Sequence, residues 1–167
     1  MLALYQPEAS DLRVLAMALT INNDLERIGD QAVNIAERSL ELFKETSLKP
    51  LIDMPRLAQL VQAMLTHSVD AFIRRDTALA RSVCQRDDEA DALDDQLFRE
   101  ILTYMTQDPR AITRAVHLIL VSRHLERVAD HATNIAEDVI SLVEGRHVKR
   151  RFAVFRGSSS ISTALSE

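Results

Sequence analysis

Apolar residues return every three or four positions along most of this chain, which is the period of a helix packed on one side. Leu25, Ile28, Ala32, Ile35 and Ala36 fall on one face of the first such stretch, and Leu125, Val128, Ala132, Ile135 and Ala136 on one face of the last. Prolines and acidic caps divide the pattern. A long helix is predicted from about Glu8 to Glu45, and a second from Pro55 to Arg74 or Arg75, with Asp53 as N-cap. A third opens at Asp76-Thr77 and runs to about Met105, with its continuity across Gln85–Asp87 left open. Asp108-Pro109 starts the last helix, which Gly145 ends near Glu144.

Composition narrows the class. With 3 Gly, 4 Pro and 4% aromatics in 167 residues, the chain lacks the turn residues of an all-β fold. No two glycines lie close enough to form a phosphate-cradling loop. The net charge of −5 argues against nucleic-acid binding driven by phosphate neutralisation. One cysteine, Cys84, excludes an internal disulfide and suits a reducing compartment, and no stretch approaches the length of a membrane span. A soluble, cytoplasmic, all-α protein is expected. Beyond Gly145 the residues turn basic (Arg146, His147, Lys149, Arg150, Arg151) and then serine-rich, as in a solvated tail or a contact for an acidic partner.

The chain contains an internal repeat at an offset of 100 residues. Asp24–Glu37 aligns without a gap on His124–Glu137, and nine of the fourteen positions are identical. The shared residues include Glu26/Glu126, Asp30/Asp130 and Asn34/Asn134. Each copy carries an acid pair one helical turn apart, opposite its packing face, with Asn a further turn on. Two readings stay open: a solvated polar face, or hard oxygen ligands for a divalent or ferric ion. In the first half of each helix the same face is apolar (Leu12, Leu15, Leu19; Ile112, Ile119), which implies that a neighbour covers it. Counting back from the turn at Asp108 places Asp91 opposite about Glu126 and Asp87 opposite about Asp130. Asp94 lies on the same side as Asp87 and Asp91. Four carboxylates at one level would repel, raising their pKa values unless a cation or Arg123 and Arg127 neutralise them.

These residues resemble the PhoU family of accessory regulators of bacterial phosphate-specific transport. The resemblance rests on Gln6–Glu37, Arg86–Gln96 and Ser122–Val139, and above all on the doubled LER-x-x-D-x-x-x-NIAE. It implies PhoU-like antiparallel three-helix bundles: one complete C-terminal bundle over residues 49–145, and one reduced to its last long helix over 1–48. Residues 146–167 form a basic tail. The family's first two helices are expected to be missing, leaving Leu12, Leu15 and Leu19 without cover and favouring a homo-oligomer. The resemblance further implies metal ligands at Glu26, Asp30, Glu126 and Asp130. Asp87 and Asp91 join them from the preceding helix, and Asn34 and Asn134 supply further contacts. Iron or zinc is the suspected metal. The implied partners are a sensor histidine kinase and the ATP-binding subunit of the phosphate transporter, so the membrane is reached only indirectly.

No nucleophile–base arrangement is visible, so no catalytic residue is assigned. A ferritin-like di-metal enzyme would need two E-x-x-H pairs; the chain has one, Glu144/His147, straddling Gly145. A structural adaptor without metal is the other alternative. His124 and His131 flank the second motif, have no histidine counterparts in the first, and are read as surface residues. Asp11 and Arg13 are given a structural role near the helix start.

Overall fold

The computed structural model describes residues 9–44 and 53–145. Four helices make up almost all of it: α1 (Ala9–Phe43), α2 (Asp53–Arg74), α3 (Thr77–Gln107) and α4 (Ile112–Glu144). α3 runs unbroken through Gln85–Asp87. The expected boundary chemistry is present at three of the joints. Asp76 caps α3 by accepting from the Leu79 N–H at 2.9 Å, and Gly145 closes α4 with φ 66°. Asp108 accepts from the Arg110 N–H, but the turn it caps is a single 3₁₀ turn, Pro109–Ala111, before α4 proper. Asp53 belongs to the first turn of α2, where its Oδ2 accepts from Gln96 Nε2 of α3 at 2.6 Å.

α2, α3 and α4 pack mutually as a three-helix bundle. Its core is aliphatic: Leu57, Val61 and Met64 of α2, Val83, Leu97 and Ile101 of α3, Ile135, Val139 and Ile140 of α4. Ala90, Ala129, Ala132 and Ala136, also buried, keep the helix axes close. The hydroxyl of Ser68, fully buried at this core, is satisfied by donation to the Leu65 carbonyl.

α1 lies on α4 and touches no other described helix. Most of its less exposed positions (Val14, Met17, Ile21, Asp24, Ile28, Gln31, Ile35, Arg38 and Leu42) advance by alternate steps of three and four, with Ala18, Asn34 and Ser39 flanking that line. That spacing keeps one seam facing a partner helix over the whole length. The face expected from the sequence is therefore corrected for the first copy. Ile28 is buried, but Leu25, Ala32 and Ala36 are exposed, because α1 has a neighbour on one side only. In the second copy Val128, Ala132, Ile135 and Ala136 are buried as expected. Leu12, Leu15 and Leu19, expected to lack cover, have none among the described residues: they are 57, 60 and 74% exposed. Residues 1–8, the 45–52 connection and the basic tail from Arg146 lie outside the described residues.

Candidate functional site

The acids of the second repeat face α3. At one edge Asp94, with 2% of its side chain exposed, accepts from Ser122 Oγ at 2.7 Å and pairs with Arg123 Nη1 at 2.7 Å. Arg123 also stacks over Phe98, 5.8 Å from the ring centroid, which fixes its guanidinium. One turn along α4, half-buried Glu126 has its pKa pushed up to about 7. Loss of water is the main cause, followed by the charges of Asp130 and Asp94, with Arg123 opposing. Asp130 is raised by desolvation and then by Asp91, against His131 and Arg127. Asp91 is raised by desolvation and then by Asp88, Asp95 and Asp94, against Arg123. Both Asp91 and Asp130 reach solvent, yet the packed helices beneath them remove enough water to penalise the ionised forms.

Asp91, Asp94, Glu126 and Asp130 thus share one electrostatic site, whose nearby cation, the exposed Arg123, is already engaged by Asp94. Asp87 is drawn elsewhere: it is buried and accepts from Thr133 Oγ1 at 3.1 Å. The counted register is corrected here. Near the turn it holds, since Asp94 meets Arg123, but at Asp87 the partner is Thr133 rather than Asp130. Thr133 lies about 60° round α4 from Asp130 and points into the bundle, while Asp130 stays at the rim. Asn134 is exposed.

The first-repeat acids are placed differently. Glu26 and Asp30 are exposed on the side of α1 away from α4, and Asn34 is half-buried. The structure does not bring them to the α3–α4 acids. Among the described residues, no three His, Cys, Asp or Glu side chains are gathered closely enough to hold a metal ion. The donor chemistry nevertheless suits a hard cation: carboxylate oxygens, partly desolvated and short of positive charge.

Two histidines read as surface residues instead build the α1–α4 seam. His131 Nδ1 meets Asp24 Oδ1 at 2.8 Å, and His124 Nδ1 meets Gln31 Oε1 at 2.8 Å. In the repeat alignment, Asp24 is the counterpart of His124 and Gln31 of His131. The two contacts are therefore related by a local two-fold between equivalent positions, with Ile28 and Val128 midway. The signal was present in the sequence: His117, His124 and His131 are spaced by seven, a seam period. Asp94 also carried a signal, the small polar Ser122 on an otherwise apolar face opposite it.

The sequence matches the PhoU domain family over residues 1–39 and 54–139. It is 49% identical over 157 residues to a phosphate-specific transport system accessory protein PhoU homologue of Aquifex aeolicus, covering 94% of this chain and 71% of that protein. A homologue of the same name from Pseudomonas aeruginosa is 44% identical over 149 residues, 89% of this chain and 62% of that protein. The chain thus spans about two thirds of the length of these relatives. The crystal structure of PhoU from Pseudomonas aeruginosa superposes with a TM-score of 0.82 at 44% identity, covering 87% of this chain and 70% of that one. The PhoU phosphate transport regulatory protein of Streptococcus pneumoniae superposes at 0.78, with 30% identity and coverages of 86% and 68%.

Proposed function

The chain belongs to the PhoU family, and on that premise we propose that it is a non-enzymatic, cytoplasmic regulator of phosphate uptake and of the phosphate-starvation response. It acts by contact with the ATP-binding subunit of a phosphate transporter and with a sensor histidine kinase. The observation that carries this reading is the doubled LER-x-x-D-x-x-x-NIAE motif, held in a helical arrangement shared with PhoU proteins. A regulator of this kind needs surfaces, not a reaction centre, and long rigid helices present the same side chains at fixed spacing over many turns.

Metal is the second part of the proposal. Asp91, Glu126 and Asp130 would hold a divalent or ferric cation, iron or zinc, at the α3–α4 edge, and Glu26 and Asp30 would hold another on α1. A bound cation supplies positive charge that relieves the repulsion among these acids and ties α3 to α4. Asp94 and Arg123 act as the rigid wall of the site, because their mutual pairing and Ser122 hold both in place.

The regulatory reading is tested by expressing this chain in a bacterium that lacks its own PhoU protein and carries a phosphate-starvation reporter. Restored repression in phosphate-rich medium is expected; undiminished reporter output would overturn it. The metal part is tested separately, by elemental analysis of protein purified without affinity-tag metals and by melting with and without added zinc. A rise in melting temperature that Glu126→Gln and Asp130→Asn remove is expected.

A second reading, a helical adaptor with solvated acids, is favoured by one observation: the acids are not gathered into a three-ligand group among the described residues. A zinc-independent melting temperature together with restored repression would select it. The ferritin-like enzyme gains no support, since Gly145 ends α4 between Glu144 and His147, and His147 lies outside the described residues.

A further inference from the structure

The end of the molecule where α1 begins and α2 and α4 finish holds a pocket of about 210 Å³, lined by Arg13, Val14, Arg75, Leu142 and Val143. Val14, Leu142 and Val143 make its floor apolar. Arg13 and Arg75, both exposed, complete the lining, and neither guanidinium forms a hydrogen bond or ion pair with a described residue. The nearby acids among the described residues are occupied. Glu144 receives two hydrogen bonds from Arg81, at 2.7 and 2.9 Å, and Asp76 is committed to capping α3. Asp11 lies two residues from Arg13 and so about 200° round α1 from it. At this end two helices start (α1, α3) and two stop (α2, α4), so their dipoles oppose one another and leave the arginine charges in control.

Arg75 also occupies an unusual backbone position. Its φ is 55°, the left-handed region, at the joint where α2 stops and α3 starts. The joint itself is built by Arg75 N–H donating to the Phe72 carbonyl and Asp76 N–H to the Ala71 carbonyl, bonds that glycine would form with less strain. An arginine held at that φ, with no partner among the described residues, brings a second guanidinium to a pocket that Arg13 also lines.

We infer that this pocket binds a small organic oxyanion, a phosphate monoester or carboxylate with a short aliphatic body, its head between Arg13 and Arg75 and its body on Val14, Leu142 and Val143. Guanidinium forks recognise such heads through paired charge-assisted hydrogen bonds. The volume admits the head and a few carbons, and the floor selects a ligand that carries them over a bare ion. The site lies about 18 Å along α4 from Asp130, so its ligand is separate from the proposed α3–α4 metal.

The test is a titration of the whole chain followed by amide NMR, with butyl phosphate, pentanoate, inorganic phosphate and 1-butanol as four separate probes. Saturable shifts confined to Arg75, Leu142, Val143 and their neighbours are expected with at least one of the first two, at a dissociation constant of about 10 mM or below. Which of the two binds more tightly assigns the head as phosphate or carboxylate. Inorganic phosphate should bind more weakly and 1-butanol should not bind. Arg13→Gln and Arg75→Gly should each weaken binding by about tenfold or more. Arg75→Gly also relieves the positive φ, so its melting temperature should not fall, which separates loss of the site from loss of the fold. Arg56→Gln, which removes a surface pair with Glu89 at the other end of α2, should bind as the parent does. Absence of saturation with both organic anions would overturn the proposal. So would unchanged affinity in Arg75→Gly, or inorganic phosphate binding as tightly as butyl phosphate.

Discussion

Glu126 concentrates the physics of the acid cluster in one side chain. Its pKa is raised from 4.5 to about 7, so the folded protein holds a proton there that the unfolded chain releases. Below about pH 4.5 the carboxyl is neutral in both states and contributes nothing. As pH rises from there to about 7 the folded state binds more protons than the unfolded, so stability falls; above about 7 the loss is complete. Glu126→Gln removes the ionisation and should stabilise the protein by about 1 kcal/mol at about pH 8, a figure reduced for the half-exposed side chain. At about pH 4 it should have little effect. Urea melts at the two pH values check this, and an equal effect at both would show that the site does not repel the charge. Asp94 contrasts with it a turn away: more deeply buried, yet provided with a hydroxyl and a guanidinium. Burial short of partners raises the Glu126 pKa, whereas the hydroxyl and guanidinium hold Asp94 in place as a rigid wall.

At the scale of elements, the sequence was most legible where the signal was local. Asp76, Asp108-Pro109 and Gly145 each act within one turn of their own position, so helix ends could be read directly. The repeated motif was equally local, needing only comparison of the chain with itself. The seam between α1 and α4 was not, because it depends on which two helices meet and on which side. The seven-residue spacing of His117, His124 and His131 marks a seam but not its partner, and His124 and His131 become half-buried only once α1 lies on α4. The same applies to Asp87, whose neighbour Thr133 follows from how α3 and α4 cross. The reciprocal contacts predict how the copies recognise one another. A pairing of α4 with α4 would set His124 against His131, and a pairing of α1 with α1 would set Asp24 against Gln31. Only the mixed pair joins acid to imidazole. A double-mutant cycle of Asp24→Asn and His131→Gln should return a coupling of about 0.5–1.5 kcal/mol near neutral pH. Additive effects would mean that this contact does not hold the seam.

For the whole molecule, the decisive asymmetry is that the described residues cover α4 on both sides and α1 on one. The repeat makes the two helices equivalent in sequence pattern, yet α2 and α3 enclose only α4. On α1 the side away from α4 carries Leu12, Leu15, Leu19, Val33 and Leu40, all more than half exposed, with Glu26 and Asp30 between them. An apolar stripe of that length is a surface that water penalises, and each leucine buried against a partner contributes about 1.5–3 kcal/mol. The chain should therefore self-associate through α1 as its concentration rises. The two acids in the middle of the stripe would then approach their copies across the interface, which opposes the leucines and keeps the association concentration-dependent. Replacing Leu15 and Leu19 with Gln should shift light-scattering mass toward the monomer while leaving the melting temperature of the α2–α3–α4 bundle in place, since neither residue contacts that core. A parent chain that stays monomeric at high concentration would show instead that the acids outweigh the stripe.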